Sequence, residues 1–237
     1  MIDLSADLAE GAPGENEIWP MITSANVACG GHFGDEQSMA DAVRRARRHN
    51  VRLGAHPSYP DRANFGRKSM SMSPPALRAT LIEQITALRD IAERDGVPLR
   101  HVKPHGALYN DAHKDKILAG VIVEAIRKVD PNVAIVCAST SEMAAAARAS
   151  GTPVIREAFA DRRYNPDGSL VTRSIAGSLL SVEEAAEQAA MLAKQRAVIA
   201  RDGSRVSVAF DTICIHADMD NAVERLRAIR KRLGAER

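Results

Sequence analysis

Four histidines, His32, His56, His105 and His216, each follow a short apolar run and sit in stretches rich in glycine and proline. Carboxylates share these stretches: Asp7 and Glu10 behind the first run, Asp35 behind the second, Asp61 behind the third and Asp161 behind the sixth. Imidazoles beside carboxylates are the parts of general acid–base catalysis. They are equally the donor set for zinc and similar ions, and composition does not choose between the two. Two of the acids have a simpler reading. Asp35 precedes a helical pattern and suits an N-cap, and Asp61 shapes the turn Pro60-Asp61-Arg62.

The densest stretch is Lys103-Pro104-His105-Gly106-Ala107-Leu108-Tyr109-Asn110. A lysine ending a buried strand is costly unless it meets a carboxylate or an anionic ligand. Pro104 stops the strand, and Gly106 permits close backbone approach. Tyr109 and Asn110 offer a hydroxyl and an amide for orienting a polar substrate. A second group, Asp161-Arg162-Arg163-Tyr164, opens a long irregular segment that also carries Arg173. Such segments are often functional lids, and their arginines can grip carboxylate or phosphate.

These groups need elements to position them. Apolar runs read as strands at Ile2–Leu4, Ser24–Cys29, Val51–Ala55, Leu99–Lys103, Val133–Cys137 and Val154–Glu157. A last, bent strand is expected from Val206–Phe210 and Thr212–Ile215. Helical patterns cover Asp35–Asn50, Pro74–Asp95, Asp115–Lys128, Ser141–Ala149, Ser181–Ala200 and Asn221–Leu233. In the longest, Leu77, Leu81, Ile85, Leu88 and Ile91 repeat at helical spacing behind a Ser73-Pro74 start. Phe159–Leu180 reads as irregular. Strand–helix alternation predicts a parallel sheet, and the choice is between an open doubly wound sheet and a barrel. Polar clusters follow nearly every strand. A barrel brings all of them to one pocket, whereas an open sheet unites only those at its switch point. A single barrel domain over 1–237 is therefore expected.

The 237 residues include 32 basic and 30 acidic side chains, a net charge of +2 that gives no footprint for nucleic acid. The run Arg44-Arg45-Ala46-Arg47-Arg48 spreads over the outer face of a helix. Three cysteines without CxxC spacing argue against a disulfide scaffold. An acid-rich start and no apolar run of membrane-spanning length predict a cytoplasmic protein with no membrane partner. The sequence carries no GxxxxGK[ST], GxGxxG or GxSxG pattern, so any ATP binds by a less recognisable route or on a different polypeptide.

Several motifs together resemble the LamB/YcsF family. They are Asp3-Leu4 with Asp7-Leu8-Ala9-Glu10-Gly11, then Ser24 to Gly30, Gly54-Ala55-His56-Pro57-Ser58-Tyr59-Pro60-Asp61 and Phe65-Gly66-Arg67. The stretch 102–110, the segment from Phe159 to Tyr164 with Leu170-Val171 and Arg173, and Ile213-Cys214-Ile215-His216 continue the match to about residue 233. The resemblance implies a seven-stranded, distorted (β/α) barrel of the glycoside hydrolase/deacetylase kind. It implies the activity of the A component of a multi-subunit 5-oxoprolinase: ATP-dependent ring opening of 5-oxo-L-proline to L-glutamate, with 5-oxoprolinase subunits B and C as partners. A homo-oligomer is compatible with it. Asp7, Lys103, His105 and Asp161 are the expected catalytic groups, with Asp7 first as base toward water and Lys103 with Arg162 meeting phosphoryl charge. Glu10, Asn26, His56, Tyr109, Asn110, Arg162, Arg173 and His216 are the expected substrate contacts. The alternative is a metal-dependent amidohydrolase or deacetylase with a divalent ion at Asp7, His32 and His56, acting on another small cyclic or acylated amide. The chain departs from the family's usual pattern at Ser5-Ala6, Ala9, Gly31-His32-Phe33 and His216-Ala217-Asp218, several of these being expected at the rim of the pocket's first loop.

Overall fold

The computed structural model describes residues 2–234. In chain order its elements are β1 (Asp3–Leu8), α1 (Glu15–Ile18), β2 (Ser24–Ala28), α2 (Glu36–His49), β3 (Arg52–His56), α3 (Pro74–Arg94), β4 (Leu99–Val102), α4 (Gly106–Lys114) and α5 (Lys116–Val129). They continue as β5 (Ala134–Cys137), α6 (Glu142–Ser150), β6 (Val154–Phe159), α7 (Val182–Gln195), β7 (Ala197–Ile199), β8 (Arg205–Ser207), β9 (Thr212–His216) and α8 (Ala222–Arg232). Strands β1 to β6 and β9 close into a parallel barrel in which β9 pairs with both β1 and β6. The barrel expectation holds over the open sheet.

Most sequence-read boundaries move by a residue or two, and the caps explain where helices start. Asp35 forms a capping box with Ser38 ahead of α2, and Ser73 caps α3 with Pro74 as its first residue. The apolar stripe of α3 is buried as its spacing requires. Leu88 is fully covered, and Leu88→Ala would cost about 2–5 kcal/mol. Two readings needed correction at the end of the chain. The helical pattern through Ala200 stops at Gln195, where Arg196 takes a left-handed conformation and β7 begins. The run Val206–Phe210 is not the start of the last barrel strand: β8 pairs antiparallel with β7 in a hairpin outside the barrel. A β-rich run has no intrinsic address, and the nearest free edge decided its partner. The cluster His105 to Asn110, expected in a glycine- and proline-rich stretch after a strand, runs into the helix α4 from Gly106 onward.

Period-two alternation sorts the barrel strands into an apolar outer face and a polar inner one. Leu4, Ala6 and Leu8 of β1, Ala25 and Val27 of β2, and Leu53 and Ala55 of β3 join the main apolar core. The opposite face of β1 carries Asp3, Ser5 and Asp7. Register puts Asp7 beside Asn26 on β2 and His216 on β9. Ser5 thus lies inside the barrel, bonded to Thr212 at 3.1 Å, and Ala6 packs outward. Neither sits at the pocket rim, because both belong to the strand itself. Gly54 is required here: a Cβ would stand 2.1 Å from His101 Nε2, whose ring lies over Gly54 as it reaches from β4 to Asn26 of β2. Among the described residues no helix is long and apolar enough to cross a membrane.

Candidate active site

The polar inner faces end at one mouth, where a cavity of about 910 Å³ is lined by residues of β1, β3, β6 and β9 and of the segments that follow β3, β4 and β6. At its floor Lys103 is buried. Its ammonium reaches Asp7 Oδ1 at 2.9 Å, Asp7 Oδ2 at 3.1 Å, Glu157 Oε1 at 2.8 Å and Cys214 Sγ at 3.1 Å. Burial pulls the Lys103 pKa down, but the Asp7 and Glu157 carboxylates outweigh it and raise it well above its ordinary value. Asp7 also accepts from Asn26 Nδ2 at 2.8 Å, and Asn26 in turn faces His101 Nε2 at 2.8 Å. Burial raises the Asp7 pKa, yet His56 and Lys103 together hold it well below the usual carboxylate range. Asp7 is an anion saturated with donors.

Beside this floor stand Glu10, His32, His56 and His105. All four are buried, and their ligand atoms lie within 4.8 Å of one another. Two backbone carbonyls fix the rings. His56 Nδ1 lies 2.7 Å from the Lys103 carbonyl oxygen, and His105 Nε2 lies 3.0 Å from the Phe65 carbonyl oxygen. A carbonyl accepts only, so each of these nitrogens carries a proton, an assignment made from the hydrogen-bond network. The other nitrogens, His56 Nε2 and His105 Nδ1, are then bare in the neutral rings and face each other at 3.0 Å. Glu10 Oε1 lies 3.3 Å from His105 Nδ1 and 3.0 Å from His32 Nε2, and Asp7 Oδ2 lies 3.3 Å from His56 Nε2. Acceptors therefore converge on a point that needs a cation, either a proton or a metal ion. The nearby charges agree: Asp7, Glu10 and Glu157 are set against the single ammonium of Lys103.

His32 stacks on His105 with ring centroids 3.7 Å apart, and its Nδ1 has no hydrogen-bond partner among the described residues. Burial lowers its pKa to about 4. The tautomer that donates Nε2–H to Glu10 leaves only a bare lone pair orphaned, the smaller penalty. Burial likewise lowers the pKa of His105. For His56 burial also opposes charge, but Asp7 prevails and the pKa rises. Glu10 behaves as Asp7 does: burial raises its pKa, and the neighbouring His105, His32 and His56 bring it far down.

The opposite side of the mouth is cationic. Arg67, Arg162 and Arg173 line the cavity with His216 and Asp218. Asp161 does not line it. It is fully buried and holds His216 by the backbone N–H at 2.7 Å and by Nδ1 at 3.0 Å. Of the sequence-predicted residues, Asp7, Glu10, His56, Lys103, His105, Tyr109, Asn110, Arg162, Arg173 and His216 reach the cavity. Asn26, His32 and Asp161 stand one layer behind it. Glu157, Arg67 and Asp218 were missed as site residues. Glu157 alternates with Ile155 and Phe159 on one face of β6, and only barrel closure turns that face inward. Tyr109 is buried, its hydroxyl accepts from the Ala138 N–H at 2.9 Å, and burial together with the Glu157 charge keeps its phenol protonated.

A model of the LamB/YcsF family matches residues 2–237. Among solved structures, a lactam utilization protein from Thermus thermophilus is 40% identical, with a TM-score of 0.92, over 98% of this chain and 96% of its own. A candidate cellobiose-phosphate cleavage protein from Enterococcus faecalis aligns with a TM-score of 0.53 at 13% identity, over 98% of this chain and 93% of its own, a likeness of fold alone.

Proposed function

The chain belongs to the LamB/YcsF family, and from that premise we propose that it opens a cyclic amide by hydrolysis, as the A-type component of an ATP-dependent, multi-subunit 5-oxoprolinase. The observation that carries the reading is the convergence of Glu10, His56 and His105 acceptors beside the Asp7–Lys103–Glu157 ion cluster, at the inner end of a cavity large enough for a small ring. Lactam hydrolysis adds a water oxygen to the carbonyl carbon, breaks the C–N bond and sends a proton to the departing nitrogen. His105, with its pKa lowered and Nδ1 bare, is the group able to take the water's proton at neutral pH. Asp7, expected as that base, is too weak a base once it holds Lys103, Asn26 and His56. Its part is to keep His56 charged and Lys103 in place. His56, with its pKa raised, is the acid for the departing nitrogen. Lys103 supplies fixed positive charge for the developing oxyanion. Its contact to Cys214 is the one it can exchange, because a thiol is a poor acceptor.

The Glu10, His32, His56 and His105 set fits a divalent metal: Glu10, His56 and His105 present converging acceptors, His56 and His105 are anchored through their outer nitrogens, and His32 would join as the tautomer with its proton on Nδ1. Such an ion would supply Lewis acidity and a water of lowered pKa. This donor set also supports the second reading, a metal-dependent amidohydrolase acting without ATP on another small amide. The acid-rich inner end would repel a polyphosphate, so we assign ATP use to subunits B and C. The experiment is co-expression with those partners, following glutamate release from 5-oxoproline with and without ATP and measuring bound metal. ATP-dependent release that vanishes without this chain supports the first reading. Release of product from an acylated or cyclic amide by the chain alone, dependent on a stoichiometric metal, replaces it with the second.

A further inference from the structure

The cationic side of the mouth contains an unequal charge count and one side chain that imitates a ligand. Asp218, two residues beyond the end of β9, points one carboxylate oxygen at two arginines. Oδ2 accepts from Arg67 Nη2, on the loop after β3, and from Arg173 Nη1 at 3.3 Å, on the long segment after β6. Arg162, only 6% exposed, lines the same cavity. Its Nη2 donates to the Val171 carbonyl at 2.7 Å, and its Nε is buried without a hydrogen-bond partner among the described residues. Burial and the charge of Arg173 lower its pKa to about 10, so it remains protonated at neutral pH. The nearby Asp161 cannot balance it fully, because both its oxygens hold His216. Two guanidinium groups thus grip the carboxylate of Asp218, and Arg162 stands beside them with no direct ion pair of its own among the described residues.

We propose that Arg67, Arg162 and Arg173 form the seat for a carboxylate carried by the ring substrate, and that Asp218 fills part of this seat until the substrate carboxylate displaces it. A carboxylate is favoured over phosphate because the group already held there is a carboxylate, gripped by two arginines from separate loops. Asp218 is only 14% exposed at its side chain, whereas Arg67 and Arg173 are 45% and 31% exposed and free to re-aim. The arrangement gives the cavity a direction. The amide end meets acceptors and the Lys103 charge, and the acid end meets donors. It also makes the loops after β3, β6 and β9 close on the ligand through one anion. The proposal rests on the lactam reading for its ring and on the arginines for its charge, and the two parts fail separately.

The test is calorimetric titration of the full chain with 5-oxoproline, with its decarboxylated analogue 2-pyrrolidinone, with acetate and with inorganic phosphate. It uses the wild type, Arg173→Gln and Asp218→Asn, each checked for an unchanged melting temperature. The seat predicts that 5-oxoproline binds at least about tenfold tighter than 2-pyrrolidinone, since charge-assisted bonds are the strong ones. Arg173→Gln should erase most of that difference, and Asp218→Asn should tighten 5-oxoproline by removing its internal competitor. Equal affinity for the two lactams overturns the seat and leaves the lactam reading standing. Weaker 5-oxoproline binding in Asp218→Asn also overturns it, because Asp218 would then be a fixed latch. Phosphate binding tighter than 5-oxoproline or acetate overturns the carboxylate assignment. Acetate binding that is lost in Arg173→Gln, with neither lactam bound, supports the seat and sinks the lactam reading. No binding by any of the four overturns the seat.

Discussion

The two sides of the barrel mouth are built from opposite halves of hydrogen-bond chemistry. The side over β1, β3 and β4 gathers acceptors, with Glu10, His56 and His105 aimed at one point and Asp7 against it. The side over β6 and β9 gathers donors, Arg162 and Arg173 with Arg67 reaching across, set against Asp218. The acceptor side is buried, and its rings are pinned by the carbonyls of Lys103, just past β4, and of Phe65, in the segment after β3. The donor side is half exposed and rests largely on loops. Rigid strand ends suit bond-making, which tolerates little displacement, while loops suit recognition and closure. Lys103 separates the two, and its charge belongs to the acceptor side.

The hardest way to break this division is to remove that charge. Lys103→Met would leave Asp7 and Glu157 buried beside each other, and a loss of about 3–5 kcal/mol in denaturant unfolding is expected together with loss of turnover. A fold as stable as wild type would mean that Asp7 and Glu157 take up protons instead. Next in size, His105→Ala should slow ring opening by about 10²–10⁴-fold in an assembled enzyme while the melting temperature changes little. Glu10→Gln should lower metal content as well as rate, if the acceptors hold an ion. Full activity in His105→Ala would return the base role to another group. On the donor side the effect is smaller and of a different kind: Arg67→Gln should raise KM by about tenfold and leave kcat nearly unchanged. An equal fall in kcat would erase the distinction between the two sides.

A pH experiment sharpens the comparison further. Burial lowers His101 from an ordinary 6.5 to about 4, beneath the acceptor side. Between those values the unfolded chain takes up a proton that the folded chain refuses, so stability falls as pH drops from 6.5 toward 4. The linkage is worth roughly 3 kcal/mol over that window. His32 adds a loss of the same sign, with its pKa at about 4. His101→Gln should flatten part of this acid limb in unfolding free energies measured at pH 7, 5.5 and 4.5. An unchanged limb would place the linkage elsewhere.

Much of the fold and the mouth is legible in the chain itself, and particular residues show why. Strand–helix alternation and a polar cluster after nearly every strand determined a barrel with one functional mouth, because parallel strands leave a barrel with a single C-terminal end. Asp35 and Ser73 announced their helices through local capping chemistry, which needs no tertiary partner. The motifs determined the family. What stayed hidden depended on long-range neighbours. That Lys103 ties up Asp7 follows from a contact between residues 96 positions apart. Glu157 entered the site only when barrel closure turned its strand face inward, and Val206 left the barrel when β8 found β7 instead. Which nitrogen of His56 or His105 stays bare was set by carbonyls of Lys103 and Phe65. The sequence by itself determined which chemistry was available and at which end of the fold. Only the tertiary structure decided which groups are free to perform it, because protonation, pairing and exposure are properties of neighbours in space.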